Sequence, residues 1–333
     1  MEKNKKNYVP IIIALVIIGA VVIWLMSSGE QQQALEQQNN ISKSAFAGAV
    51  DFTITGIDPG AGIMINTEKA MDKYTLEKAG WQLSASSSAA MMSALQDSVE
   101  NNEPIIATVW EPHSAFAIAD LRKLEDPENI YNDPQATKEF LKEFAPEYSA
   151  AEVSSDVIAT VVYQGFKNDA PVAYNFFQNF NVSSDTQSNW IYQLNVQDKD
   201  PEVIADEYVD ENRDLIEKWL PSQETDLGKD AITIGIPPWP GATVKSRVVA
   251  AILEEIGYQT EVKEMDSGVV YTSLADKQID VSVAGWLPTT HQSYWEEKGD
   301  QLEIAGINIT QTWLGLAVPQ YVDENIKSIE DLK

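Results

Sequence analysis

Two stretches of the chain repeat one order of elements. PIIATVWEPH (104–113) and IDVSVAGWLPTTH (279–291) are apolar, β-type runs ending in Trp-x-Pro, with a histidine just beyond. These are the only two histidines in 333 residues. Before each run, strand-like and helix-like segments alternate, which dictates α/β construction. In the first half DFTITGI (51–57), GWQLSASS and PIIATVW read as strands, with GIMINTEKAMDKY and SSAAMMSALQDSVENN as the helices between them. The serines opening the second helix are suitable N-caps. In the second half AITIGI, QTEVKEM and IDVSVAGW read as strands, separated by TVKSRVVAAILEEIGY and VVYTSLADKQ as helices. DVIATVVYQGF is a further strong strand between the halves, followed by three helical segments to Trp219 and a polar linker at 221–230. Two similar α/β lobes with a cleft between them are the simplest account. Ligands of such folds bind beyond the carboxyl ends of strands, where both Trp-x-Pro motifs fall.

The bulk properties narrow the function. A chain of this length holds about two domains. With 23 basic against 51 acidic residues the net charge is −28, which argues against nucleic acid or anionic lipid as a partner. Absence of cysteine removes disulfides, thiol catalysis and Cys-based zinc sites.

Residues 1–8 carry three lysines, and 9–26 (VPIIIALVIIGAVVIWLM) is an uncharged run close to the ~20 residues that span a bilayer. The expectation is a cytoplasmic N-terminus (1–8), a single transmembrane anchor (9–26) and a flexible Gln/Ser-rich tether (27–49). The binding domain then lies on the extracytoplasmic face of the cell membrane. A cleaved signal peptide is the alternative, although its apolar region is usually shorter and ends in small residues. The expected lobes are 50–150 and 151–333.

Catalytic signatures are missing. There is no Gly-x-Ser-x-Gly elbow, phosphate loop, His-Glu-x-x-His or calcium-type acidic loop. The chain therefore reads as a binding protein without cofactor or metal rather than an enzyme. Three tryptophans share one position: Trp110, Trp239 and Trp286 each follow a strand and precede proline, directly or one residue later. Facing indoles at a cleft would enclose a cation that cannot donate hydrogen bonds, such as a quaternary ammonium; single tryptophans are more often core residues. GIDPGAG (56–62) is either an ordinary strand-to-helix turn or a backbone N–H anion site. His291, five residues after Trp286, could donate to a carboxylate, whereas His113 could simply satisfy local backbone.

The motifs GIDPGAGIM, SSSAAMMSAL, PIIATVWEPHSAF, LEDPENIY, VSVAGWLPTTHQSYW, LGLAVPQYV and SIEDLK together resemble one family over about residues 50–333. It is the glycine betaine-binding proteins of osmoprotectant ATP-binding-cassette importers. The order, with GIDPG leading and SIEDLK ending the chain, resembles the circularly permuted version of that family. The resemblance implies a periplasmic-binding-protein-like (type II) fold whose lobes close on ligand by a hinge. It implies that Trp110, Trp239 and Trp286 surround a trimethylammonium group. It further implies that the Gly56 and Ile57 N–H groups hold a carboxylate, helped by His291, and it gives His113 no contact. A membrane permease subunit with a cytoplasmic ATPase is the implied partner; a tethered betaine sensor uncoupled from transport is the alternative. Pro237, Pro238 and Pro240 around Trp239, and an anchor in place of a lipid, are departures from relatives.

Overall fold

The computed structural model describes residues 43–221 and 226–333. The expected N-terminal anchor, and the tether as far as residue 42, lie outside the described residues. Among the described residues no helix is long and apolar enough to cross a membrane.

Ten strands form two five-stranded sheets. In chain order they are β1 (Thr53–Thr55), β2 (Gln82–Ser84), β3 (Ala107–Glu111), β4 (Leu121–Lys123) and β5 (Val157–Tyr163). Then follow β6 (Ala231–Ile236), β7 (Gln259–Glu264), β8 (Val281–Leu287), β9 (Leu302–Ile309) and β10 (Trp313–Pro319). The first sheet has the order β2-β1-β3-β10-β4 and the second β7-β6-β8-β5-β9. Each has a parallel core: β1 lies between β2 and β3, and β6 between β7 and β8. Each also receives one antiparallel strand from the chain that has just left the other lobe. β5 enters between β8 and β9, and β10 enters between β3 and β4. The chain therefore crosses between lobes twice, near residues 132–134, after which Phe140, Leu141 and Ala145 pack with Val157 and Leu287 in the second lobe, and near residues 310–312. The crossings are tied together by Asn132, whose side chain donates to the Leu314 carbonyl and accepts its N–H, while Ser154 Oγ donates to the Thr312 carbonyl and Thr312 Oγ to the Asp156 carbonyl at the entry to β5.

This arrangement corrects two boundaries. Residues 151–333 do not all belong to the second lobe, because β10 and the tail after it complete the first sheet. Burial explains why: every residue of LGLAVP in β10 is covered, so the strand is stable only inside a sheet. The tether is also shorter than 27–49. Residues 43–49 form a helical turn that buries Phe46 and Ala47, with the Phe46 ring 6.3 Å from that of Trp81. Lys43 Nζ stands 2.7 Å from Asp331, so the two ends of the described chain meet on the first lobe.

Four helices place the cleft: α1 (Gly62–Lys73), α2 (Ser88–Asn101), α3 (Pro240–Ile256) and α4 (Gln292–Lys298). Each starts where its sequence allows. Ser87 caps α2 by accepting from the Ala90 N–H, and Pro240 stands at the first position of α3, where no N–H is needed. The helices between Pro171 and Trp219 join the second lobe, with Arg213 bridging to Glu255 and Glu202 to Arg247.

Candidate functional site

All three strand-end tryptophans meet at one cavity between the lobes. Ile57, Ala61, Ile63, Trp110 and Leu314 line it from the first lobe, and Trp239, Trp286 and Thr290 from the second. The local fold explains the convergence. Trp110 is near the end of β3, opposite Leu314 of β10, and Trp286 is near the end of β8, opposite Ile158 of β5. Trp239 caps α3, held by a turn in which its N–H donates to the Pro237 carbonyl at 2.8 Å. Among the described residues no charged side chain lines the cavity, in a chain with a net charge of −28. Its volume is about 20 Å³. That is room for about one water.

The two histidines adopt one local solution. His291 Nδ1 accepts the Trp286 N–H at 3.2 Å and lies 3.1 Å from the Tyr271 hydroxyl. His113 Nδ1 accepts the Ala115 N–H at 3.1 Å, and its ring stands edge-on to Trp110 with centroids 4.4 Å apart. An acceptor Nδ1 assigns the proton of each neutral ring to Nε2. Both Nε2 atoms are buried and have no hydrogen-bond partner among the described residues. Burial disfavours the charged imidazolium and lowers the pKa to about 3 for His291 and about 4 for His113. At neutral pH each is an uncharged N–H donor awaiting an acceptor. His291 is beside the site, its ring 5.8 Å from that of Trp239 and next in sequence to the lining residue Thr290.

Asp156, which no motif singled out, fixes the loop carrying Thr290 and His291. It is fully buried immediately before β5, and its carboxylate accepts the Thr289 N–H at 2.8 Å and the Thr290 N–H at 2.7 Å. Burial raises its pKa, and the hydrogen bonds from Thr290 and Thr289 pull the other way.

The GIDPG turn differs from its expectation at one residue. The Gly56 N–H continues the β1–β2 ladder by donating to the Ser84 carbonyl at 2.9 Å, so it is not free for a ligand in this conformation. A Cβ there would stand 2.5 Å from Met64 Sδ, so a larger residue would displace the end of that methionine. The Ile57 N–H rests on that same sulfur at 3.2 Å, a weak acceptor that a carboxylate oxygen would displace. Beyond it, the first N–H groups of α1 have no intrahelical acceptor. Ile57, His291 and the start of α1 therefore supply donors around an uncharged aromatic cavity.

A family model described as the substrate binding domain of ABC-type glycine betaine transport system matches residues 24–211 and 230–333. Over 284 residues the chain is 35% identical to the glycine betaine/carnitine transport binding protein GbuC of Listeria monocytogenes, covering 85% of this chain and 87% of that protein. Among solved structures it is similar to lactococcal OpuAC in its closed-liganded conformation complexed with glycine betaine. The identity there is 28% over 51% of this chain and 58% of that one, with a TM-score of 0.39. It is also similar to the glycine/betaine/L-proline-binding protein ProX of Borrelia burgdorferi, at 27% identity over 53% of this chain and 58% of that one, with a TM-score of 0.42. The chain thus spans less than two thirds of the length of those two structures.

Proposed function

The chain belongs to the substrate-binding domains of ABC-type glycine betaine transport systems, and from that premise we propose that it captures glycine betaine or a closely related quaternary ammonium osmolyte. The cation sits among Trp110, Trp239 and Trp286. The carboxylate takes the Ile57 N–H and the His291 Nε2 proton, with Gly56 shaping the turn from behind. The loaded protein delivers its ligand to a membrane permease driven by a cytoplasmic ATPase. It works on the extracytoplasmic face, held by the 9–26 segment as an anchor.

The observation that carries this reading is the convergence of three indoles, from both lobes, on a cavity without a charged side chain. A carboxylate-lined site would favour small, strongly hydrated metal cations. Indole faces favour a diffuse onium charge whose methyl groups form no hydrogen bonds. Micromolar binding needs about 8 kcal/mol. Three desolvated cation–π contacts at roughly 2 kcal/mol each supply about 6. Charge-assisted hydrogen bonds add about 1.5–3 kcal/mol apiece, against which ordering costs are set. Both ends of the zwitterion are needed.

The test is an intrinsic-fluorescence titration of the purified full chain with glycine betaine, proline betaine, carnitine and choline. Glycine betaine binds in the micromolar range, and choline, lacking the carboxylate, binds at least about tenfold worse, the factor a single lost charge-assisted hydrogen bond gives. Equal affinities would remove the carboxylate half of the site; no response to any betaine would remove the whole reading.

A further inference from the structure

The two lobes touch along a seam that involves none of the tryptophans. The Tyr294 hydroxyl, on α4 of the second lobe, donates to the Gly60 carbonyl in the GIDPG turn at 2.7 Å. On its other side the Tyr294 ring lies 5.8 Å from that of His291 and 5.6 Å from that of Tyr271. Two residues beyond Gly60, a Cβ on Gly62 would overlap the Thr290 carbonyl oxygen and stand 2.5 Å from its Cγ2. Gly62 does not have a positive φ, so the turn itself does not demand glycine there. The demand comes from the opposite lobe. Lys69 Nζ and Gln292 Oε1, 3.4 Å apart, continue the seam along α1 and α4.

We propose that Tyr294 and Gly62 form a closing clasp, with Tyr294 a positioning residue that ties the His291 loop to the turn bearing the Ile57 N–H. The inference rests on the betaine-binding reading above and adds to it what sets the lifetime of the complex. The two carboxylate donors come from different lobes, so they act together only when the seam is shut. Backbone contact at Gly62 allows that approach, and the Tyr294 hydrogen bond holds it. The clasp touches no ligand atom, so it slows release of every ligand by the same factor.

The test uses the full chain and variants along the seam. Tyr294→Phe removes only the hydroxyl. It should speed betaine dissociation about three- to fivefold, the effect of one partly exposed neutral hydrogen bond. The association rate and the ligand-free melting temperature stay unchanged, and proline betaine shows the same factor. Gly62→Ala should weaken betaine binding at least a hundredfold without lowering the ligand-free melting temperature. Gly60→Ala is the control, because a Cβ there meets nothing within 4 Å. Contact across the seam is read separately in a Lys69→Cys/Gln292→Cys pair, unique in a cysteine-free chain, bridged by a short bismaleimide. Bridging should rise with betaine and fall when Gly62→Ala is added. Unchanged dissociation in Tyr294→Phe, or unchanged affinity and bridging in Gly62→Ala, would overturn the clasp. Gly62-dependent bridging in a chain that binds no betaine would instead keep the clasp and refute the functional reading.

Discussion

The two buried histidines make stability depend on pH in a window where few other groups titrate. An unfolded histidine has a pKa near 6.5, whereas burial lowers His113 to about 4 and His291 to about 3 in the folded chain. As pH falls through 6.5 the unfolded chain takes up a proton at each ring and the folded chain does not, so stability falls with pH. The loss continues until each folded ring protonates, near pH 4 for His113 and pH 3 for His291. Between pH 8 and pH 5.5 each ring costs about 1.4 kcal/mol, and the two together about 3 kcal/mol. Asp156 and Glu303, both raised by burial, act in the opposite direction as pH falls. The histidine contribution is therefore isolated by comparison with His113→Gln, His291→Gln and the double variant. Urea unfolding of each protein at pH 8, 6.5 and 5.5 supplies the free energies. The parent should lose about 3 kcal/mol more than the double variant across this range, and each single variant should recover about half of that difference. A double variant losing as much as the parent would refute the assignment of both rings as neutral and buried.

Three shorter predictions concern the site. Betaine affinity should vary by less than about twofold between pH 5.5 and 8, because His291 stays neutral throughout that range; a titration showing tighter binding below pH 6.5 would mean that an imidazolium is the donor. Trp286→Ala should weaken betaine binding about 30-fold, the equivalent of one desolvated cation–π contact, as read by calorimetric titration of the folded variant. Asp156→Ala leaves the part-buried Thr289 N–H and the buried Thr290 N–H without their acceptor. It should destabilise the chain by roughly 2–5 kcal/mol in urea unfolding and weaken betaine binding in parallel.

Much of the cleft was legible because local chemistry wrote it. Strand–helix alternation set the lobes, and proline after tryptophan marked strand ends, so the positions of Trp110, Trp239 and Trp286 could be read without knowing how the sheets pair. What stayed hidden depended on distant partners. β9, LEIAGINI, is covered on both faces and so lacks the alternation that marks a half-exposed strand. Nothing local in β10 says that it pairs with β3, some two hundred residues earlier. Gly56 looked like an anion donor because its sequence context fits one, yet its N–H is taken by Ser84 across the sheet. Asp156 and Tyr294 sit in unremarkable local sequence; the first matters through the Thr289–Thr290 loop beside it in the same lobe, the second through Gly60 across the cleft. Phe46 looked like part of a tether because a single apolar residue gives no sign of the Trp81 surface it covers.

The meeting of both ends of the described chain on one lobe has a mechanical outcome. Lys43 pairs with Asp331, and the Trp81 indole N–H donates to the Leu332 carbonyl, so the entry and exit of the described chain are fastened to the same body. Any force applied ahead of Lys43 grips that body alone. The other body hangs from two neighbouring crossings of the chain and lies outside the line of that force.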